Sequence, residues 1–264
     1  MAIVALLSDL GLKDYFVGAI KGAILAINPA ATIVDVTHEI PRHDVFTAAF
    51  TLASAAETFP NGTIFVVVVD PGVGTERKGI LLRTDNDFLF VGPDNGVFTL
   101  VAQRFGVKEI RELTNQKLMR KNISATFHGR DIFAPVAAYL SLGVSTSEVG
   151  PVLPDMKKLD LVKAEIVEGE ITGEVVAIDD FGNILTNIGS NLIERLAKID
   201  ETLIIEIGGK SLLAKFVRTF GEVGPGEVLC YLGSAGVLEI AKNLGNLAEE
   251  IDARPHLKIR ITKA

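Results

Sequence analysis

The sequence predicts two regions in series: a layered α/β region with a largely parallel sheet, then a smaller β-barrel-like region. Three observations predict this. In the first half, short β-branched runs alternate with longer stretches of helical periodicity, as in a parallel sheet covered by helices. The pattern breaks at Gly150-Pro-Val-Leu-Pro154, where two prolines precede a polar stretch. Beyond that point nearly every run is short and strand-like, and the runs are separated by glycine turns. The expected boundaries are 1–150 for the α/β region, 151–168 for a linker and 169–264 for the β region.

The elements follow in order. Strands are expected at 3–7, 32–36, 63–69, 80–83, 88–91 and 108–113, with helices at 16–27, 44–58, 96–105 and 131–142. Apolar residues in 16–27 recur three and four apart and so form one buried stripe. The run from Ile64 to Val69 has no polar alternation, which suits a strand covered on both faces. In the second region strands are expected at 171–178, 184–187, 202–207, 228–232, 237–240 and 257–261. Short helices are expected at 191–198 and 244–251, and turns at Gly208-Gly209, between Gly221 and Gly226, and at Gly233.

Composition narrows the function. A chain of 264 residues with 48% hydrophobic content can bury one large core or two smaller ones. A net charge of −7 argues against a nucleic-acid partner, which calls for a basic face. No apolar stretch reaches the roughly 20 residues of a membrane helix, and the first residues meet Ser8-Asp9 too soon for a signal peptide. The single cysteine, Cys230, allows neither an internal disulfide nor a thiolate zinc cage. Together these predict a soluble cytoplasmic protein.

Ligands of α/β sheets bind beyond the carboxyl ends of strands. There the first strand leads into Ser8-Asp9-Leu-Gly11, the second into Thr37-His38, and the third into Asp70-Pro-Gly-Val-Gly-Thr-Glu-Arg77. A carboxylate such as Asp9 can accept both hydroxyls of a ribose; equally, it can cap the next turn or helix. The glycines after Asp70 permit close backbone approach to a ligand, although Asp70 and Arg77 also fit an ordinary surface ion pair. His128 stands beside a glycine at a helix start, where it can exchange a proton near neutral pH. The four histidines do not cluster along the chain, and no metal-ligand spacing occurs.

Taken in order, Ser8-Asp-Leu-Gly11, Val69-Asp-Pro-Gly-Val-Gly74 with Arg77, Gly92-Pro-Asp-Asn-Gly96, Thr126-Phe-His-Gly-Arg-Asp131 and Asp180-Phe-Gly-Asn183 form a specific set. The chain closely resembles the S-adenosyl-L-methionine hydroxide adenosyltransferases, relatives of the fluorinase and chlorinase, over nearly its whole length. The resemblance implies hydrolysis of S-adenosyl-L-methionine to adenosine and methionine, with no metal and no cofactor. It implies catalytic roles for Asp70, Arg77 and His128, a ribose contact for Asp9, and a place near the methionine for Asp14. In the second region it implies ligand contacts for Asp179, Phe181 and Asn183, and for Ser234 near the methionine or adenine end. It also implies a homotrimer whose sites lie between the first region of one subunit and the second of its neighbour.

The related halogenases carry an aromatic residue and a small hydroxyl residue where this chain has Asp70 and His128-Gly129, a departure that disfavours halide chemistry. Two other readings stay open on the sequence: a halide-dependent adenosyl transferase, and a sensor that binds S-adenosylmethionine without turnover. A dinucleotide dehydrogenase does not fit, because no Gly-x-Gly-x-x-Gly follows the first strand. Which of Asp70 and His128 takes the proton of the attacking water is also open.

Overall fold

The structure is a computed structural model and describes residues 2–264. It divides into two compact units, the first ending at Leu159 and the second beginning at Asp160.

In the first unit the chain runs β1 (Ile3–Ser8), α1 (Phe16–Leu25), β2 (Thr32–Thr37), α2 (Val45–Ala56), β3 (Ile64–Val68), β4 (Gly79–Arg83), β5 (Leu89–Pro93), α3 (Thr99–Phe105), β6 (Glu109–Glu112) and α4 (Ala134–Ser141). The strands form one sheet in the order β2-β1-β3-β5-β4-β6. The pairings among β2, β1, β3 and β5 are parallel, and β4 runs antiparallel to both β5 and β6. The sheet is therefore largely parallel, with its antiparallel part at one edge.

Strand alternation explains the layers. Val4 and Leu6 point into a core shared with Ile20 and Ile24 of α1 and Val136 of α4. Ala5 and Leu7 point the other way, against Leu52 of α2 and Val101 of α3. Both faces are thus covered, which is why β1 and β3 read as unbroken apolar runs. The helix expected at 44–58 begins after Asp44, whose carboxylate accepts the Thr47 N–H at 2.9 Å. The helix expected at 131–142 instead starts earlier, as a π-helical turn from Gly129 to Phe133 that passes into α4.

Residues 151–159 run along this first unit. Leu153 N–H donates to the Ile110 carbonyl at 2.8 Å, and Lys157 N–H donates to Asp94 Oδ1 at 2.7 Å. Met156 is buried among the first unit's side chains.

The second unit contains β7 (Glu165–Val167), β8 (Glu170–Ile178), β9 (Ile184–Gly189), α5 (Ser190–Leu196), β10 (Thr202–Ile207), β11 (Lys210–Phe216), β12 (Val228–Leu232), β13 (Val237–Lys242), α6 (Leu247–Ile251) and β14 (Lys258–Lys263). The order β14-β10-β11-β12-β13-β9-β8 closes through an antiparallel β14–β8 pairing, giving a seven-stranded barrel. Closure removes the unpaired edges that an open sheet would expose. In β10, Leu203, Ile205 and Ile207 face inward and Thr202 and Glu206 outward.

Two strands were not expected from the sequence, β7 and β11. Lysines punctuate β11, and its apolar residues do not alternate cleanly, so its strand character comes from pairing with β10 across the Gly208-Gly209 turn. No helix among the described residues is long and apolar enough to cross a membrane.

Candidate active site

β1 and β3 are neighbouring parallel strands with Ser8 opposite Val68. Their carboxyl ends therefore open on the same edge, and the two aspartates that follow, Asp9 and Asp70, face one cavity. This cavity has a volume of about 180 Å³, and His43, Thr126, His128 and Gly129 also form its walls.

Beyond β3 the backbone turns back on itself, with Val73 N–H donating to the Asp70 carbonyl at 3.2 Å. Gly74 sits at φ +77, and a Cβ there would lie 2.3 Å from the Ala125 carbonyl oxygen. Only glycine lets this turn pack so closely on the segment that leads to His128. The turn returns Arg77 to Asp70. Arg77 Nε donates to Asp70 Oδ1 at 3.0 Å, and Arg77 Nη2 donates to Asp70 Oδ2. The same Nη2 donates to His128 Nδ1 at 3.0 Å.

The Asp70 and Arg77 side chains are only 6% and 5% exposed, so this is a buried bidentate pair and not a surface one. The guanidinium lies 5.4 Å from the centre of the Phe133 ring. Arg77 is not among the cavity's wall residues; it lies behind Asp70 and His128 and binds both.

Electrostatics set these two groups apart. Burial pushes the Asp70 carboxyl above its ordinary value, against the opposing pull of Arg77. Burial and the neighbouring Arg77 charge push the His128 imidazole below its ordinary value, so it is neutral at pH 7.

Other motif residues brace this arrangement. Asn95 Nδ2 donates to the Val69 carbonyl at 2.9 Å, fixing the backbone just before Asp70. Asp131 is fully buried and accepts two hydrogen bonds from Arg130 and one from Ser124 N–H, which ties down the segment around His128. Asp9 does not cap α1, whose N-cap is Tyr15; its Oδ2 accepts the His43 N–H at 2.9 Å.

His43 thus joins His128 around the cavity, although the histidines are scattered along the chain. Nothing in residue spacing signals this meeting, which depends on the loop after β2. Asp14 is exposed in the turn before α1 and does not line the cavity.

In the second unit, Asp179, Phe181 and Asn183 line a separate cavity of about 650 Å³, together with Phe220, Lys242 and Asn243. Asp179 organises its own loop. Its Oδ1 accepts the Phe181 N–H at 3.0 Å and the Asn183 N–H at 2.8 Å, while Oδ2 accepts from Asn183 Nδ2 at 2.8 Å. The Phe181 ring is left 77% exposed. Ser234 is exposed in the turn between β12 and β13 and is not a wall residue of that cavity. Phe220 and Lys242 were not singled out from the sequence, since neither lies in a recognisable motif. Among the described residues there is no group of three or more His, Cys, Asp or Glu placed to hold a metal ion.

The family profile described as the SAM hydroxide adenosyltransferase N-terminal domain matches residues 4–150, and that of the corresponding C-terminal domain matches residues 173–260. The chain belongs to the SAM hydroxide adenosyltransferase family. Its relatives include an (R)-S-adenosyl-L-methionine hydrolase of Salinispora tropica, 39% identical over 97% of this chain and 95% of the relative. Another, of the same name, comes from Methanocaldococcus jannaschii and is 36% identical over 94% and 90%. A fluorinase of an Actinoplanes species is 30% identical over 99% and 98%. Among solved structures, an uncharacterized conserved protein of Thermotoga maritima superposes with a TM-score of 0.95 at 44% identity, covering 98% of this chain and 99% of that one.

Proposed function

We propose that this member of the hydroxide adenosyltransferase family hydrolyses S-adenosyl-L-methionine to adenosine and L-methionine. The observation that carries the reading is the buried Asp70–Arg77 pair bonded to His128, with Asp70, His128 and Asp9 on one cavity, within a chain of this family. A bond forms between the water oxygen and C5′ of the ribose as the C5′–S bond breaks. The bonding electron pair goes to sulfur, the sulfonium becomes a neutral thioether, and the water gives up a proton. The leaving group needs no acid, and the balance needs no oxidant or reductant. What remains is to hold the water in line and accept its proton.

The roles follow from donor inventory. Arg77 can only donate, so its bond to His128 exists only while Nδ1 is unprotonated. The neutral imidazole then carries its hydrogen on Nε2, where it can donate to the water oxygen and orient it. Asp70 is left as the proton acceptor, and its raised carboxyl suits that task. Arg77 fixes the relative positions of the two. A carboxylate at position 70 would repel a halide, which argues against halide transfer.

Asp9 takes the ribose hydroxyls, and Asp14 lies towards the methionine end. In the second unit Phe181 and Phe220 offer aromatic faces for adenine, Asn183 offers its amide, and Asp179 holds their loop. Ser234 completes the contacts at the methionine or adenine end. The first cavity is smaller than the ~300–1,000 Å³ that ordinarily encloses a small molecule. We place the rest of the substrate against the second unit of a neighbouring subunit, in a homotrimer, as the family resemblance implies. A cytoplasmic setting fits a chain whose single cysteine, Cys230, is a free thiol.

The relatives' names specify the (R) sulfonium, and we assign this chain the same preference. The test uses the two sulfonium epimers, separately, in heavy-oxygen water. Adenosine should form from the (R) epimer in preference and carry the heavy oxygen at the 5′ position. Adenosine without the label, or no turnover of either epimer, overturns the reading.

A further inference from the structure

The turn that carries Asp9 is joined to a chain of side chains that the proposed reaction does not use. Ser8 Oγ lies 2.7 Å from His38 Nδ1, and His38 Nε2 lies 3.1 Å from Asp35 Oδ1. Lys21 Nζ then donates to Asp35 Oδ2 at 2.6 Å. Ser8 and His38 are almost wholly buried, at 1% and 3% exposure.

Serine, histidine and aspartate in hydrogen-bonded sequence suggest a nucleophile, but the geometry excludes one. In a hydrolytic triad the serine bonds Nε2 and the carboxylate braces Nδ1; here the two are exchanged. Ser8 Oγ is also enclosed and accepts the Leu10 N–H at 3.3 Å. The set is therefore a brace.

What it braces is defined by the backbone around it. The register of β1 on β2 slips by one residue at their ends, where Leu6 faces Asp35 and Leu7 faces Thr37. Past the slip, His38 packs under the turn after β1. Gly11 N–H donates to the His38 carbonyl at 2.7 Å, and Ile40 N–H donates to the Ser8 carbonyl at 3.3 Å. Gly11 takes φ +68, which closes the turn. Asp9 sits between these anchored residues, with its Oδ2 bonded to the His43 N–H.

We propose that His38 is a positioning residue for the ribose end of the substrate: through Ser8 on one side and Asp35 on the other, it locks the 8–11 turn so that the Asp9 carboxylate is fixed before the ligand arrives. Preorganisation of this kind contributes affinity by removing the ordering cost at binding. The inference rests on the reading that Asp9 binds the ribose diol.

The test separates the two by comparing adenosine with 2′,3′-dideoxyadenosine in titration calorimetry. Wild type should bind adenosine about tenfold or more tighter, and Asp9→Ala should erase that ratio. His38→Leu should also bring the ratio close to one, by weakening adenosine while leaving the dideoxy compound bound as in wild type. His38→Asn, whose amide can still meet Ser8 Oγ, should recover most of the ratio. Should His38→Leu fail to fold, Ser8→Ala breaks the same relay with the loss of one hydroxyl, and its ratio should fall likewise. A wild-type ratio retained in these variants, or equal loss for both ligands, overturns the role of His38. A wild type that does not distinguish the ligands overturns the ribose reading of Asp9 itself.

Discussion

Arg77 presents donors only, and two of its nitrogens are committed to Asp70 while one also reaches His128. Removing it outright would strand a buried carboxylate, at a cost of about 3–5 kcal/mol, so stability and chemistry would fail together. A pH profile separates them more cleanly. In the proposed scheme Asp70 acts ionised, and burial holds its carboxyl above the ordinary 3.8. The rate should therefore rise with pH along an acid limb displaced upward from that value. In the same scheme His128 acts neutral, and burial and the Arg77 charge hold its titration below the ordinary 6.5, so its own contribution to the acid limb is centred below that value. The check is kcat against pH for wild type and His128→Asn. An acid limb that vanishes in His128→Asn would mean that the rate follows the histidine's titration and not that of Asp70, and would remove Asp70 as the proton acceptor. The types and order of these three residues were legible in the sequence. The burial of the Asp70–Arg77 pair was not: the two also fit a surface pair, because their packing beside Phe133 and His128 is a tertiary property.

The π-helical turn from Gly129 to Phe133 is the element that aims His128, its N-cap. π turns recur at functional sites because the extra residue shifts side chains relative to a regular helix. Here the shift is coupled to β3: a Cβ on Gly129 would lie 2.7 Å from Val68 Cγ1 and 3.0 Å from Cγ2. Gly129→Ala should lower stability by about 1–3 kcal/mol, measured by chemical denaturation. It should also reduce kcat more than adenosine affinity, since His128 moves and Asp9 does not. Unchanged kcat with lowered stability would show that the turn's packing and the histidine's aim are independent. The periodicity of 131–142 announced a helix, but not its π start, because periodicity reports the buried face and not the hydrogen-bond step. β11 escaped for a related reason, as its strand character comes from pairing with β10.

At the level of the whole molecule, the change from βα alternation to glycine-punctuated strands was enough to expect two regions, because each architecture imposes its own hydrophobic period. Which residues share a cavity could not be read that way. Asp9, Asp70 and His128 meet in the first unit, and Asp179, Phe181 and Asn183 line a cavity of the second. If a complete site combines the first unit of one subunit with the second of the next, around a ring of three, a defect in either unit is confined to particular junctions. Asp70→Ala and Asn183→Ala subunits should each be nearly inactive alone. Co-refolded, any mixed ring contains one junction where an Asn183→Ala subunit supplies its intact Asp70 and an Asp70→Ala subunit supplies its intact Asn183. Activity should therefore return at about one site in three of each mixed trimer, and native mass measurement should show the mixed rings to be present. Mixed rings with activity no higher than the parents would mean that each site draws both units from one chain. A monomer in solution with full activity would remove the trimer from the mechanism altogether.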